Sequence, residues 1–201
     1  VQRPPQAIYA NILEKKVLTN HSLKQPLILR NQVTNHQYLK FVFNQTQTKE
    51  ILIDYPKGEK ERLSIRYLKE TGELTLSRRF MGDPINGIEK PHLDERTIIC
   101  DNQQEEFVLE IFRDTSSIEL FVNNGHTMTF TFYEKELCRD LVVNATGECS
   151  LKYLEISNIE YFVLINGFRF TAPLSAVGIF VAMSAWPMVL RMKLMLFVLR
   201  F

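Results

Sequence analysis

Apolar and polar residues alternate with a period of two along 107–133. Phe107, Leu109 and Ile111 alternate with Val108, Glu110 and Phe112, and Ile118, Leu120 and Val122 with Glu119 and Phe121. Met128, Phe130 and Phe132 then interleave with Thr127, Thr129 and Thr131. That period sends successive side chains to opposite faces of a sheet. Three adjacent antiparallel strands are predicted, joined by an Asp114-Thr-Ser-Ser117 turn and a two-residue Asn124-Gly125 turn whose residue types accept positive φ.

Upstream, short apolar runs recur with turn residues between them, at 27–29, 38–43, 50–55, 63–68, 74–79 and 96–100. This spacing predicts an all-β fold, a two-layer antiparallel β-sandwich with jelly-roll-like strand pairing. Glu70-Thr-Gly72-Glu73 reads as a turn, and 82–87 as a longer loop rich in breakers. Ile8, Ile12 and Leu13 fall at a loose helical spacing, which predicts a short N-terminal linker helix over 7–17. The pattern weakens between 133 and 150, where one helical turn over 134–140 is expected.

No acidic residue follows Glu160, and 171–190 carries no charge at all. That stretch reaches the about 20 apolar residues that cross a bilayer, and Arg191 and Lys193 follow it as flanking positives. Pro173 and Pro187 interrupt it. A membrane segment, an aberrant extension and a tail packed on the sandwich all remain open. The expected organisation is therefore a linker at 1–24, a sandwich at 25–160 and an apolar C-terminal tail at 161–201. Because the chain starts at Val1 without a signal-peptide core, it reads as part of a longer product.

Charge and cysteine content narrow the function. With 24 Lys and Arg against 23 Asp and Glu, the net charge is +1 and no basic run exists, which argues against nucleic acid as a partner. Cys100, Cys138 and Cys149 have neither the even count of a disulfide framework nor zinc-ligand spacing. They read as buried or half-buried free thiols in a reducing cytoplasm. The sequons at Asn20, Asn44 and Asn144 weigh the other way, and the tail at 171–190 would instead make the protein membrane-associated.

Asp114-x-Ser116-Ser117-Ile118-Glu119-x-Phe121-Val122-Asn123-x-Gly125 resembles the signature of the C-terminal β-sandwich of glycoside hydrolase family 32, the invertases and sucrose-6-phosphate hydrolases. The 74–82 stretch is similar to that domain's strand and turn, and Leu151-x-x-Leu154-x-Ile156 to its closing strand. Gln2-x-Pro4 is similar to the family's Gln-x-Pro where a catalytic β-propeller joins the sandwich. The resemblance covers 37–159. It departs from the family pattern at Ser77, at Arg113 in place of an apolar residue, at Thr115, and at Glu134 where a proline often stands.

The resemblance implies an accessory domain of a β-fructofuranosidase that hydrolyses sucrose-type fructosides, with the catalytic propeller of the same enzyme as its partner and a homodimer as a further arrangement. Family members use two carboxylates about 5 Å apart, both on the propeller. No Asn-Asp-Pro-Asn or Arg-Asp-Pro stretch occurs here, so the chain alone is expected to be inactive, with no catalytic, cofactor or metal residue of its own. Glu148-Cys149 and Arg139-Asp140 mimic family dipeptides in the wrong order and context.

Asp114, Ser116 or Ser117 and His126 invite a nucleophilic triad, but a serine-rich turn and a sheet-surface histidine explain them as well. Glu119 beside Phe121 would suit a sugar, or an ion pair with a neighbouring strand. Tyr38, Phe41, Phe43, Tyr55 and Tyr67 would form a sugar-stacking platform, or simply fill strands. His21, His36 and His92 show no metal-ligand spacing. The alternative to an accessory domain is a freestanding carbohydrate-binding sandwich without catalysis.

Overall fold

The computed structural model describes residues 3–57, 61–81, 94–123, 125–134, 137–160, 162–165 and 168–171. Two compact units divide the chain, Val1–Ile159 and Glu160–Phe201. The first holds strands β1 (Ile12–Ser22), β2 (Leu27–Leu29), β3 (Gln37–Lys57), β4 (Glu61–Leu68), β5 (Glu73–Phe80), β6 (Glu95–Ile99), β7 (Glu106–Arg113), β8 (Ser117–Val122), β9 (His126–Thr131) and β10 (Leu141–Ile159). All pair antiparallel.

Two strands build the sandwich by running through both layers. The first part of β3 pairs with β7, and its second part with β4, while β10 follows β3 along nearly its whole length. One layer is therefore β1-β10-β3-β7-β8-β9 and the other β10-β3-β4-β5-β6, with β2 on the start of β10. The layers meet in a single core that includes Phe41, Ile53, Leu63, Leu76, Phe107, Ile111, Leu120 and Leu151. Tyr67 of β4 stacks on Phe107 of β7 across the layers, with ring centroids 4.0 Å apart. Each such fully buried side chain contributes about 1.5–3 kcal/mol of hydrophobic stabilisation.

Three expectations are corrected. The linker helix over 7–17 reduces to one turn, Gln6–Tyr9, because β1 begins at Ile12 and its backbone is satisfied by β10. A lone helix of that length has too little apolar face to stand against sheet pairing. The separate strands at 38–43 and 50–55 are one bent strand, and the polar Asn44-Gln-Thr-Gln-Thr48 run between them stays paired with β10 instead of turning. The helical turn expected over 134–140 does not form at 134 or 137–140, which are irregular, and 135–136 lie outside the described residues.

The β8–β9 connection also differs from the two-residue turn. Val122 pairs with His126, so three residues form the loop, and Asn123 has a positive φ (47°). Asn123 Oδ1 accepts the Val108 amide at 2.8 Å, which anchors that left-handed residue. Position 124 lies outside the described residues.

In the second unit β11 (Phe162–Ile165) and β12 (Phe168–Thr171) form an antiparallel hairpin. The expected membrane stretch at 171–190 lies, but for its first residue, outside the described residues. Among the described residues no helix is long and apolar enough to cross a membrane.

Candidate functional site

Core-facing positions of β3 and β7 are odd-numbered, so Tyr38 and Lys40, with Glu110 and Phe112, point to the outer side of the first layer. Their register partners extend this face: Glu119 and Phe121 on β8, and Glu155 and Ser157 on β10. An outward face normally meets water, yet Tyr38, Glu110, Phe112, Glu155 and Ser157 are all buried.

The N-terminal turn supplies part of that cover. Tyr9 packs edge-on against Tyr38 and Phe112, at centroid distances of 5.8 and 6.0 Å. Its hydroxyl donates to Glu110 Oε2 at 2.6 Å, and the Tyr38 hydroxyl donates to the same oxygen at 2.7 Å. Lys40 Nζ stands 3.9 Å from the other oxygen. Charge-assisted bonds of this kind are roughly twice as strong as neutral ones. Burial first, then the hydrogen bond and charge of Glu110, push both phenols well above the ordinary tyrosine range.

A second carboxylate repeats the pattern on β10. Glu155 takes Lys15 Nζ at 3.1 Å and the Tyr153 hydroxyl at 2.7 Å. Burial alone would raise its carboxyl, but the bonds from Tyr153 and Lys15 and the Lys15 charge hold it below the ordinary value. The two carboxylates thus tie the segment at 9–15 to the sheet, through Tyr9 and Lys15. Their oxygens accept phenol and ammonium donors, an arrangement that fixes a segment.

The sequence-predicted residues scatter. His36 Nδ1, not His126, lies 2.8 Å from Asp114 Oδ1. Asp114 N donates to Ser117 O, and Ser116 O accepts Phe132 N, so the serines act as turn residues. His126 stands opposite Val122, whereas Ser117 is opposite Thr131 at the other end of the β8–β9 ladder. The nucleophilic triad is not assembled. Phe41, Phe43, Tyr55 and Tyr67 are core residues and Tyr38 is buried against Tyr9 and Phe112, so none of the five rings is exposed as a stacking platform. Glu119 is exposed opposite Phe112, with Phe121 half-buried on the same face.

Asp140 accepts the Asn31 amide at 2.9 Å, Glu148 is exposed, and Cys149 is buried. His92 lies outside the described residues, and among these no group of three or more His, Cys, Asp or Glu is placed to hold a metal. Sequence reasoning missed Tyr9, Glu110 and Glu155. The available signal was a glutamate set inside an apolar strand, as Glu110 is between Leu109 and Ile111.

The description "Glycosyl hydrolases family 32 C terminal" matches residues 3–161. The chain belongs to this family. No curated protein sequence matches it. The fold of the family 32 C-terminal domain is similar to that in exo-inulinase from Aspergillus awamori, at 16% identity and a TM-score of 0.64 over 79% of this chain and 32% of that one. It is similar to sucrose-6-phosphate hydrolase from Lactobacillus gasseri at 21% identity and a TM-score of 0.59, over 79% of this chain and 30% of the other. Galectin LEC-6 from Caenorhabditis elegans shares the fold at 16% identity and a TM-score of 0.52, over 71% of this chain and 96% of that one. The family 32 domain thus spans about a third of the enzymes it matches, and nearly the whole of the galectin.

Proposed function

We propose that the chain is the accessory domain of a β-fructofuranosidase, of the sucrose-6-phosphate hydrolase kind, that hydrolyses sucrose-type fructosides on a separate catalytic β-propeller. The observation that carries the reading is the family match over 3–161, to the C-terminal domain alone. In this role the sandwich stabilises the propeller, and the clasp of Tyr9 by Glu110 holds the connecting segment in a fixed direction. The hydrolytic carboxylates belong to the propeller, so the chain by itself releases no fructose from sucrose. Three buried free thiols support a cytoplasmic setting.

The test is to assay the purified chain on sucrose and sucrose 6-phosphate, then to co-express it with a family 32 propeller lacking its own sandwich. Silence of the chain alone, with a higher melting temperature of the propeller in its presence, is expected. Turnover by the chain alone, or a propeller indifferent to it, would sink the reading. A second reading is a freestanding sugar-binding sandwich. It is favoured by the likeness to a galectin over 96% of that chain, since a complete protein can be built on this fold alone. Saturable binding of inulin or levan with no effect on any propeller would select it.

A further inference from the structure

A cleft of about 420 Å³ opens where β3 and β10 bend between the two layers. Ser22 and Lys24 line it from the end of β1, Thr46 and Gln47 from β3, and Glu148 and Ser150 from β10. Its volume lies within the roughly 300–1,000 Å³ of small-molecule sites. Like such sites it offers apolar surface beside its polar groups.

The bend is built to present these groups. Register shifts fall between Thr146 and Gly147 and between Glu148 and Ser150, so β10 carries irregularities on both sides of Glu148. Bulges of this sort re-aim side chains and gather beside functional sites. Gly147 has φ +84°, and a Cβ there would stand 2.3 Å from Gln47 O, so the two strands approach closely only because no side chain intervenes. Thr48 Oγ1 donates to Glu148 O at 3.2 Å and fixes the far wall. Asn44 Oδ1 accepts both Thr46 N and Thr46 Oγ1, at 3.1 and 2.7 Å, which orients the near wall.

The side chains of Ser22, Lys24, Gln47, Glu148 and Ser150 make no hydrogen bond within the described chain. Two hydroxyls, an amide, an ammonium and a carboxylate therefore offer unspent donors and acceptors to one space. The single positive and single negative charge balance, which disfavours a bare phosphate or a bare cation. These side chains reach solvent, so an apolar ligand loses about 1–3 kcal/mol for each group from which it excludes water without replacing the hydrogen bond. A vicinal polyol matches them, because every hydroxyl both donates and accepts.

We propose that this cleft binds a neutral polyhydroxylated ligand of mono- or disaccharide size, free or at the end of a glycan. The proposal goes beyond the accessory-domain reading and does not need it, since the cleft is made entirely by residues of this chain.

The experiment is a titration of the full isotope-labelled chain, following backbone amide signals, with sucrose, inulin and inorganic phosphate as separate probes. Saturable displacement centred on Gln47, Gly147, Glu148 and Ser150 is expected with sucrose or with inulin, the first marking a free sugar and the second a chain end. Phosphate should leave them unmoved. The Gln47→Ala/Glu148→Gln pair should weaken binding about tenfold, as loss of one or two hydrogen bonds would. Should that pair disturb the fold, Ser22→Ala/Lys24→Ala removes the opposite wall and should weaken binding similarly. No saturable displacement by either sugar, displacement by phosphate alone, or sugar-induced shifts confined to other parts of the sandwich would overturn the proposal. Those outcomes would leave the accessory-domain reading untouched, because it requires no ligand here.

Discussion

Arg113 Nη2 lies 2.6 Å from Glu134 Oε2 inside the end of the sandwich, with 0% and 5% of the two side chains exposed. Arg113 Nη1 also donates to Thr34 O at 2.9 Å, and its guanidinium sits 5.2 Å from the Phe132 ring centre and 5.5 Å from that of Tyr55. Both positions depart from the family pattern, which favours an apolar residue at 113 and a proline at 134. The departures are thus a matched pair, each charge neutralising the other in the core.

Removing one partner leaves the other buried and unpaired. Arg113→Met is expected to lose about 3–5 kcal/mol of unfolding free energy, whereas Arg113→Met with Glu134→Leu should recover most of it, since a well-packed apolar pair often equals a buried ion pair. Urea unfolding midpoints at unchanged slope would measure both. A single variant as stable as the parent, or a double variant no better than the single, would contradict the coupling.

That pairing shows where the sequence stops being informative. The strands 107–113, 117–122 and 126–131 are legible because alternation is a local property and one face of each is buried. The closing strand at 151–156 is legible too, but the first half of β10 is not, because Asn144-Ala-Thr-Gly-Glu-Cys149 carries turn-type residues through a bend that only tertiary pairing with β3 keeps extended. Arg113 and Glu134 stand out as unusual, but they are 21 residues apart and their meeting depends on the fold of β8 and β9 between them. The Glu110 site is hidden for the same reason, since its Tyr9 partner is 101 residues away.

The Tyr9 clasp makes a local prediction. Tyr9→Phe keeps the ring contacts with Tyr38 and Phe112 but deletes the bond to Glu110, a loss of about 1.5–3 kcal/mol for a hydrogen bond to a charged group, reduced here by the clasp's partial exposure. Amide hydrogen exchange should accelerate over 5–15 and stay unchanged in β4 and β5. Uniform acceleration across the sandwich would mean that the turn is not a separate fastening.

The same phenols, together with the buried Tyr55 and Tyr67, contribute to the alkaline limit of stability. Folded Tyr9 and Tyr38 ionise well above the ordinary 10.0, mainly through burial, while in the unfolded chain they ionise near it. The unfolded state therefore releases these protons first, so their contribution is complete below pH 10 and is lost as pH rises through the folded values. Phenolate absorbance should rise in two stages above about pH 10, the second coinciding with unfolding. Tyr38→Phe should shrink the second stage, and a single stage for all tyrosines would refute the assignment.

Two glycines separate backbone need from sequence habit. Gly72 has φ +71°, and a Cβ there would lie 2.4 Å from Cys100 O, whose residue donates its amide back to Gly72 O at 2.8 Å. Gly125, in the loop before β9, would place a Cβ no closer than 3.8 Å to Asn123 O. Gly72→Ala should cost more than about 1 kcal/mol through left-handed strain and collision. Gly125→Ala should change stability by less than about 0.5 kcal/mol. Equal effects in thermal unfolding would mean that the Gly72 turn relaxes more readily than its geometry allows.

Thiol chemistry gives the last test. Burial pushes Cys100 up to about 11, and burial with the adjacent Glu134 charge and hydrogen bond pushes Cys138 up to about 12. Burial also raises Cys149, against a hydrogen bond from Thr48. The thiolate is the reactive form, so none of the three is a nucleophile near neutral pH while the sandwich is closed. An alkylating reagent should leave all three unmodified in native buffer and modify all three in denaturant, with native labelling limited by opening of the fold. Rapid native labelling of Cys138 in the parent chain would show that the Arg113 and Glu134 end of the sandwich is open to solvent.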